Sequence, residues 1–295
     1  MGGYTNIQWT DVTWNVARGC TKVDEDCKFC YMYRDSFDKT RYDPFEVVRT
    51  KTVFNLPLKV KEPSKIFTCS LTDFFHDAID SYRNEAWDII RRCPQHTFQI
   101  LTKRPERIMS CLPDDWGDGW DNVWLGTSVG NAPLCTEGNG HRICQLSDVV
   151  CKLRFLSLEP LWGPVDIGIN YSYRGFGKKC TSCSGTGYYN DNFKTPCPDC
   201  NTTGINPNPI HWVIVGGESG NETGKYRYRP CELSWIESIV SECKENNVPV
   251  FIKQLGTYQA KKLGMSDRHG GNIDEFPEHL RIREFPIIKN LINTY

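Results

Sequence analysis

Seven short runs of the chain read as strands, most of them apolar on both sets of alternating positions, and nothing else in the sequence limits its fold as much. They lie at roughly Trp14 to Arg18, Lys65 to Cys69, Thr97 to Thr102, Val123 to Ser128, Arg154 to Leu158, His211 to Val215 and Pro249 to Lys253. A strand with one wet face alternates apolar and polar residues. One that is apolar on both faces is covered on both, as in a parallel sheet. Helical spacing appears between the runs, with Ala86, Ile89, Ile90 and Cys93 on one stripe and Leu233, Ile236, Val240 and Cys243 on another. The alternation predicts repeated right-handed βα units. A chain of 295 residues, 39% hydrophobic, suits one α/β barrel of roughly 200 to 250 residues plus an insertion.

Each later run ends in a polar turn. Ser70-Leu71-Thr72-Asp73 follows the second, Lys103-Arg104-Pro105 the third, and Thr127-Ser128 closes the fourth. Glu159-Pro160 follows the fifth, Gly216-Gly217-Glu218-Ser219 the sixth, and Lys253-Gln254 ends the seventh. In barrel enzymes such loops build the active site at the C-terminal rim, so these ends are expected to converge on one mouth. Ser, Thr, Asp and Gly are also ordinary turn and N-cap residues. Lys103 and Glu159 are poor caps, which makes them the catalytic candidates.

Two cysteine groups carry the chemistry. Cys20, Cys27 and Cys30 are spaced C-x6-C-x2-C, with Phe29 directly before the third. Three thiolates can hold three irons of a four-iron cluster and leave the fourth open to a small molecule; a zinc knuckle short of one ligand, or merely buried thiols, are the alternatives. The second group pairs Cys180-x2-Cys183 with Cys197-x2-Cys200 across 13 residues. It supplies four thiolates for a tetrahedral Zn2+, and its glycines allow turns that aim backbone amides at sulfur. A second iron-sulfur cluster is the competing occupant. Pro164, Gly168, Gly175 and Gly177 before it, with Pro207 and Pro209 after it, mark an insertion, and a segment this small needs a staple. The expected organisation is therefore 1–170 and 210–295 as the two parts of one barrel, with 171–209 as a four-cysteine zinc-binding insertion.

Fifteen cysteines, an odd number with eight of them scattered singly, do not form a secreted disulfide framework. The opening MGGYTNIQWTDVTW has neither a basic n-region nor an apolar h-region. No apolar run reaches about 18 residues, so a cytoplasmic protein with no membrane partner is expected. The formal net charge of −1 gives no global pull toward nucleic acid, which leaves binding to a local patch. Lys225, Arg227 and Arg229 alternate with Tyr226 and Tyr228, a pattern fit for phosphates on one face and base stacking on the other. A solvated loop or a salt-bridged strand explains that segment equally. His76, near the Ser70 turn, reads as a hydrogen-bonding partner rather than a ligand.

The Cys27-Lys28-Phe29-Cys30 run resembles the signature of the radical S-adenosylmethionine (SAM) superfamily, usually C-x3-C-x-aromatic-C in the loop after the first strand. The first gap here is six residues, a cheap change because closure entropy grows slowly with length. Thr68-Cys69-Ser70-Leu71-Thr72-Asp73, Leu101-Thr102-Lys103 and Gly126-Thr127-Ser128 resemble strand ends of spore photoproduct lyase, a radical SAM enzyme that repairs a thymine dimer. Most of the chain is similar to an uncharacterised phage-associated family. That similarity rests on Ile7-Gln8-Trp9-Thr10-Asp11, the cysteine triplet, the Ser70 to Asp73 turn and the Gly216 to Ser219 run. The Cys180 half-motif resembles the DnaJ chaperone repeats as a local knuckle.

These resemblances imply an α/β fold, a partial (β/α)6-7 TIM-like barrel with a small zinc-binding insertion. They imply a [4Fe-4S] cluster on Cys20, Cys27 and Cys30, and SAM held by Ser70, Thr72, Asp73, Lys103, Ser128 and Glu218. Lys103 would meet the SAM carboxylate as a point charge. The superfamily's Gly-Gly-Glu motif follows the second strand, whereas Gly216-Gly217-Glu218 follows the sixth, so the methionine-binding role is not carried over by position and the run is read as a rim or cofactor-contact loop. The expected substrate is a nucleobase, such as a modified thymine in phage DNA, undergoing rearrangement or carbon-carbon bond chemistry. Flavodoxin or ferredoxin would donate the electron, in the host cytoplasm if the chain is phage-encoded. The alternatives are a non-catalytic, metal-stapled nucleic-acid-binding module, and a radical SAM enzyme acting on a peptide or small metabolite.

Overall fold

The computed structural model describes residues 3–33, 43–132, 140–167 and 209–287 and, within the insertion, 180, 182–184, 186–189 and 195–198. The described strands are β1 (Gly3–Tyr4), β2 (Val12–Trp14), β3 (Ala17–Arg18), β4 (Val48–Arg49), β5 (Lys65–Thr68), β6 (Thr97–Thr102), β7 (Val123–Ser128), β8 (Leu153–Leu161), β9 (Trp212–Gly217) and β10 (Val250–Gln254). The α-helices are α1 (Asp80–Arg91), α2 (His141–Ser147), α3 (Leu233–Glu245) and α4 (Gly256–Lys262). Eight strands form one sheet in the order β1-β2-β5-β6-β7-β8-β9-β10, while β3 and β4 make a separate antiparallel ribbon. Every pairing in the large sheet is parallel except β1 with β2. No described helix is long and apolar enough to cross a membrane.

The expected partial (β/α)6-7 TIM-like barrel is not what the chain forms. The sheet is a mostly parallel, curled half-barrel whose first strand is antiparallel, served by four α-helices among the described residues. A βα repeat needs a crossover helix after each strand. Here α1 connects β5 to β6, α2 connects β7 to β8, and α3 connects β9 to β10. The passage from β2 to β5 is instead spent on the β3–β4 ribbon and the cysteine loop. That from β6 to β7 carries Pro105, Pro113, Gly117 and Gly119 and forms only the short 3-10 turns Pro105–Arg107 and Met109–Cys111, because proline and glycine interrupt helix propagation.

The run from Trp14 to Arg18 was expected as one strand and divides into β2 and β3. Asn15 lies between them and binds the next turn. Its Oδ1 accepts from Leu71 N at 2.7 Å and its Nδ2 donates to Ser70 Oγ at 3.0 Å.

Both faces of the sheet are apolar for different reasons. On the helix side Ile66, Phe98, Leu125, Leu156, Val213 and Ile252 pack with Ile90 and Ile236 in the main core. On the inner side Phe67, Leu101, Trp124, Phe155, Trp212 and Phe251 join Trp9. Trp212 is the hub of this aromatic plug, with Trp124 and Phe155 both at 5.8 Å, Phe285 at 5.4 Å and Trp9 at 6.3 Å between ring centroids. Full burial of such a side chain contributes roughly 1.5–3 kcal/mol. Gly126 makes room for it, since a Cβ there would lie 2.4 Å from the Phe155 ring.

The period of two then fixes what lies above the plug. Following each inner-facing residue toward the strand's C-terminal end leads from Phe67 to Cys69, Leu101 to Lys103, Trp124 to Ser128, Phe155 to Ser157 and Glu159, Ile214 to Glu218, and Phe251 to Lys253. The inner side is thus aromatic at one end and polar at the other.

Candidate functional site

The polar end encloses a cavity of about 440 Å³. Cys69, Lys103, Ser128, Ser157, Glu159, Glu218 and Lys253 line it from the strand ends, and Cys20, Cys27 and Cys30 line it from the loop after β3. Strand-end side chains and thiols distant in sequence therefore share one space.

The cysteine loop is held by its own backbone. Cys20 N donates to Pro44 O at 2.9 Å, and Gly19 N donates to Leu71 O at 3.1 Å. Cys27 closes a 3-10 turn, Glu25–Cys27, whose cap Asp24 accepts from Asp26 N at 2.9 Å. The hydroxyls of Tyr31 and Tyr33 donate to Ser70 O and Cys20 O. Burial pushes the Cys20 thiol up to about 11, with Asp73 adding to the rise and Arg104 opposing it. Burial also raises Cys30. Metal binding at either thiol would release its proton. Among the described residues only Cys180, Cys183 and Cys197 bring three metal-binding atoms within 4.8 Å of one another. The Cys20, Cys27 and Cys30 sulfurs do not all lie within that distance of one another.

Asp73, expected at the cofactor, is occupied by its own fold. Its Oδ1 accepts from Thr102 Oγ1 at 2.7 Å and Phe75 N at 3.0 Å, and its Oδ2 from Lys103 N at 2.9 Å and Arg104 Nη1 at 3.2 Å. Arg104 continues to the cysteine loop, with Nη1 3.8 Å from Cys20 Sγ and Nη2 donating to Thr21 O at 2.9 Å. The β5 and β6 ends and the triplet are thereby one rigid unit. Ser70 lines the cavity but is held by Asn15. Thr72 lines it with a buried Oγ1 that has no partner among the described residues. The Lys103 ammonium makes no ion pair among the described residues.

On the opposite strands, Lys253 Nζ donates to Glu159 Oε1 at 2.5 Å. Glu218 accepts from Arg229, through N and Nε to Oε2 at 2.8 Å each and Nη2 to Oε1 at 2.7 Å. Arg229 also donates to Glu25 O at 2.8 Å and stacks on Trp162 at 4.6 Å. It therefore clasps the cysteine loop rather than lying beside Lys225 and Arg227 on one phosphate-binding face; those two are exposed, and Tyr226 lines the cavity. The glycines of the rim have packing roles. A Cβ at Gly216 would lie 3.1 Å from the Glu159 side chain, and one at Gly217 would lie 2.3 Å from Leu255 O.

In the insertion, Cys180, Cys183 and Cys197 are buried. The Sγ atoms of Cys180 and Cys197 are 3.8 Å apart, the edge of about 3.8 Å that a tetrahedron with 2.3 Å metal-sulfur bonds requires. Gly187 N donates to Cys183 Sγ at 3.2 Å. This group has the geometry to bind a metal ion; Cys200 lies outside the described residues.

A family profile described as "Protein of unknown function (DUF5131)" matches residues 4–280. The chain belongs to this family. No curated protein and no solved structure matches it.

Two residues central to this DUF5131 site, Arg142 and Trp162, carry no local sequence signal. Arg142, 1% exposed at its side chain, donates to Asp26 Oδ2 at 2.9 Å and Ser128 O at 2.9 Å and also pairs with Asp24. Trp162 Nε1 donates to Asp26 Oδ1 at 2.6 Å. The long first gap of the C-x6-C-x2-C run is thus where the loop is bolted to α2, β7 and the segment after β8. The run of acids Asp24-Glu25-Asp26 was the visible trace, but nothing local pointed to Arg142 or Trp162 as partners.

Proposed function

We propose that this protein is a radical SAM enzyme acting on a nucleobase. The observation that carries this reading is the meeting of Cys20, Cys27 and Cys30 with polar strand ends in one cavity. The residues fit a cluster with an open iron: the thiols come from one anchored loop and border space for a second molecule. Cys20, Cys27 and Cys30 would hold a [4Fe-4S] cluster, which, once reduced by an external one-electron donor, would supply the chemistry for reductive cleavage of SAM and hydrogen abstraction from a substrate.

The chain's own residues then orient and protect. Lys103, an ammonium with no counterion among the described residues, is suited to the SAM carboxylate as a compact point charge. The partnerless Thr72 hydroxyl and Ser128 are available to polar groups of the same molecule, since a buried hydroxyl without a partner carries a desolvation cost that a ligand relieves. Asp73 and Arg104 position Cys20 rather than touch the cofactor. The aromatic plug around Trp212 closes the far end to water. Tyr226 with Lys225 and Arg227 forms a lip suited to a phosphate-bearing substrate.

The test is anaerobic reconstitution with iron and sulfide, then incubation with SAM and dithionite and chromatography of the products. Equimolar 5′-deoxyadenosine and methionine, absent in Cys27→Ala, are expected. Iron-free protein after reconstitution would overturn the reading and favour a metal-stapled nucleic-acid-binding module.

A further inference from the structure

Resting on that reading, we propose that Glu159 and Lys253 form the substrate-recognition site, reading the edge of a neutral planar heterocycle at which a hydrogen-bond donor sits beside an acceptor. The two come from β8 and β10 and meet across β9. Lys253 Nζ spends one donor on Glu159 Oε1 at 2.5 Å, and neither side chain makes another bond among the described residues. A carboxylate oxygen and two ammonium hydrogens remain, an acceptor next to a donor. Their side chains are 19% and 22% exposed and line the cavity, so a ligand reaches them.

The pair has no net charge. It gains nothing from an anion, which Lys103 takes instead, and it complements a neutral edge by two charge-assisted hydrogen bonds. The strand between them is bare. Gly216 has no side chain, and a Cβ there would press on Glu159 at 3.1 Å, so the bare position is what lets the acid reach across β9 to the base. The apolar Phe67 and Leu101 line the same cavity and can cover a ring face. Trp9, 3% exposed, lines it as well, and its indole N–H has no partner among the described residues. Every nucleobase carries a donor beside an acceptor on its pairing edge, and the Tyr226 lip would meet the attached phosphates.

Titration calorimetry on the full chain, both as purified and after anaerobic reconstitution with SAM, tests this with thymidine, cytidine, adenosine and guanosine, and with 3-methylthymidine, whose donor is blocked. At least one unmodified nucleoside is expected to bind, with Glu159→Gln and Gly216→Ala each weakening it about tenfold or more while the unfolding midpoint stays within a few degrees. If thymidine is the ligand, its 3-methyl analogue is expected to fail. Equal binding of the blocked and free nucleosides, unchanged affinity in both variants, or no binding by any nucleoside in either preparation would overturn the proposal. The cluster reading is scored separately on the same wild-type preparations by iron content and by SAM cleavage without nucleoside. Nucleoside binding without iron sinks that reading and spares this site, and SAM cleavage without nucleoside binding does the reverse.

Discussion

At the scale of single residues, the site depends on charges buried in pairs. Asp26 has a side chain 0% exposed, and Arg142 is 1% exposed. Removing one partner of such a pair leaves the other charge stranded, at a cost of about 3–5 kcal/mol. Arg142→Met is therefore expected to lower stability by that amount in urea unfolding and to reduce iron uptake on reconstitution, because Asp24 and Asp26 would no longer anchor the cysteine loop. A loss under about 1 kcal/mol would show that water substitutes for the guanidinium. His76 gives a pH signature. Burial lowers its pKa, Arg104 and Arg107 add to the effect, and Asp77 and Asp73 oppose it. Its Nδ1 accepts from Ala78 N at 3.1 Å, and its Nε2 lies 2.9 Å from Thr21 Oγ1. The fold favours the neutral ring, so the stabilisation is complete above the unfolded value of about 6.5 and is lost as pH falls through the lower folded value. Urea midpoints measured from pH 7.5 to 5 should fall below about 6.5, and the slope should flatten in His76→Gln; parallel profiles would remove His76 as the cause.

At the scale of elements, what the sequence made legible was what a strand does to itself. Val123 to Ser128 and Thr97 to Thr102 coincide with β7 and β6, because burial on both faces leaves a mark on every residue of a strand. The polar ends were legible for the same reason, since the period of two carries Phe155 to Ser157 and Glu159. Partners were not. Glu159 and Lys253 are 94 residues apart and Asp26 and Arg142 are 116 apart, and strand order in the sheet, not local pattern, brings them together. The barrel expectation failed where proline, glycine and the cysteine loop replaced crossover helices. Gly126 shows how closely the elements fit. Gly126→Ala puts a methyl 2.4 Å from the Phe155 ring and should cost about 1–3 kcal/mol by overpacking. Differential scanning calorimetry should show the lowered midpoint and its partial recovery on adding Phe155→Leu; no drop would mean that the inner face is slack.

At the scale of the whole molecule, one half-barrel sheet carries two cysteine sites with different settings. The Cys180 group forms a hydrophobic cluster of its own, separate from the clusters on either face of the sheet. Cys180→Ser is therefore expected to remove one equivalent of bound zinc by metal analysis while leaving the main unfolding midpoint in place, and a drop like that of a core substitution would mean the insertion packs into the sheet. The Cys20 group instead opens on the cavity, where a cluster with a free iron would meet SAM. The most direct measurement is electron paramagnetic resonance of the anaerobically reconstituted, dithionite-reduced protein with and without SAM. A reduced four-iron signal that shifts when SAM is added and is absent in Cys27→Ala is expected; zinc alone with no such signal, or a signal indifferent to SAM, would contradict the assignment of this cavity to radical chemistry.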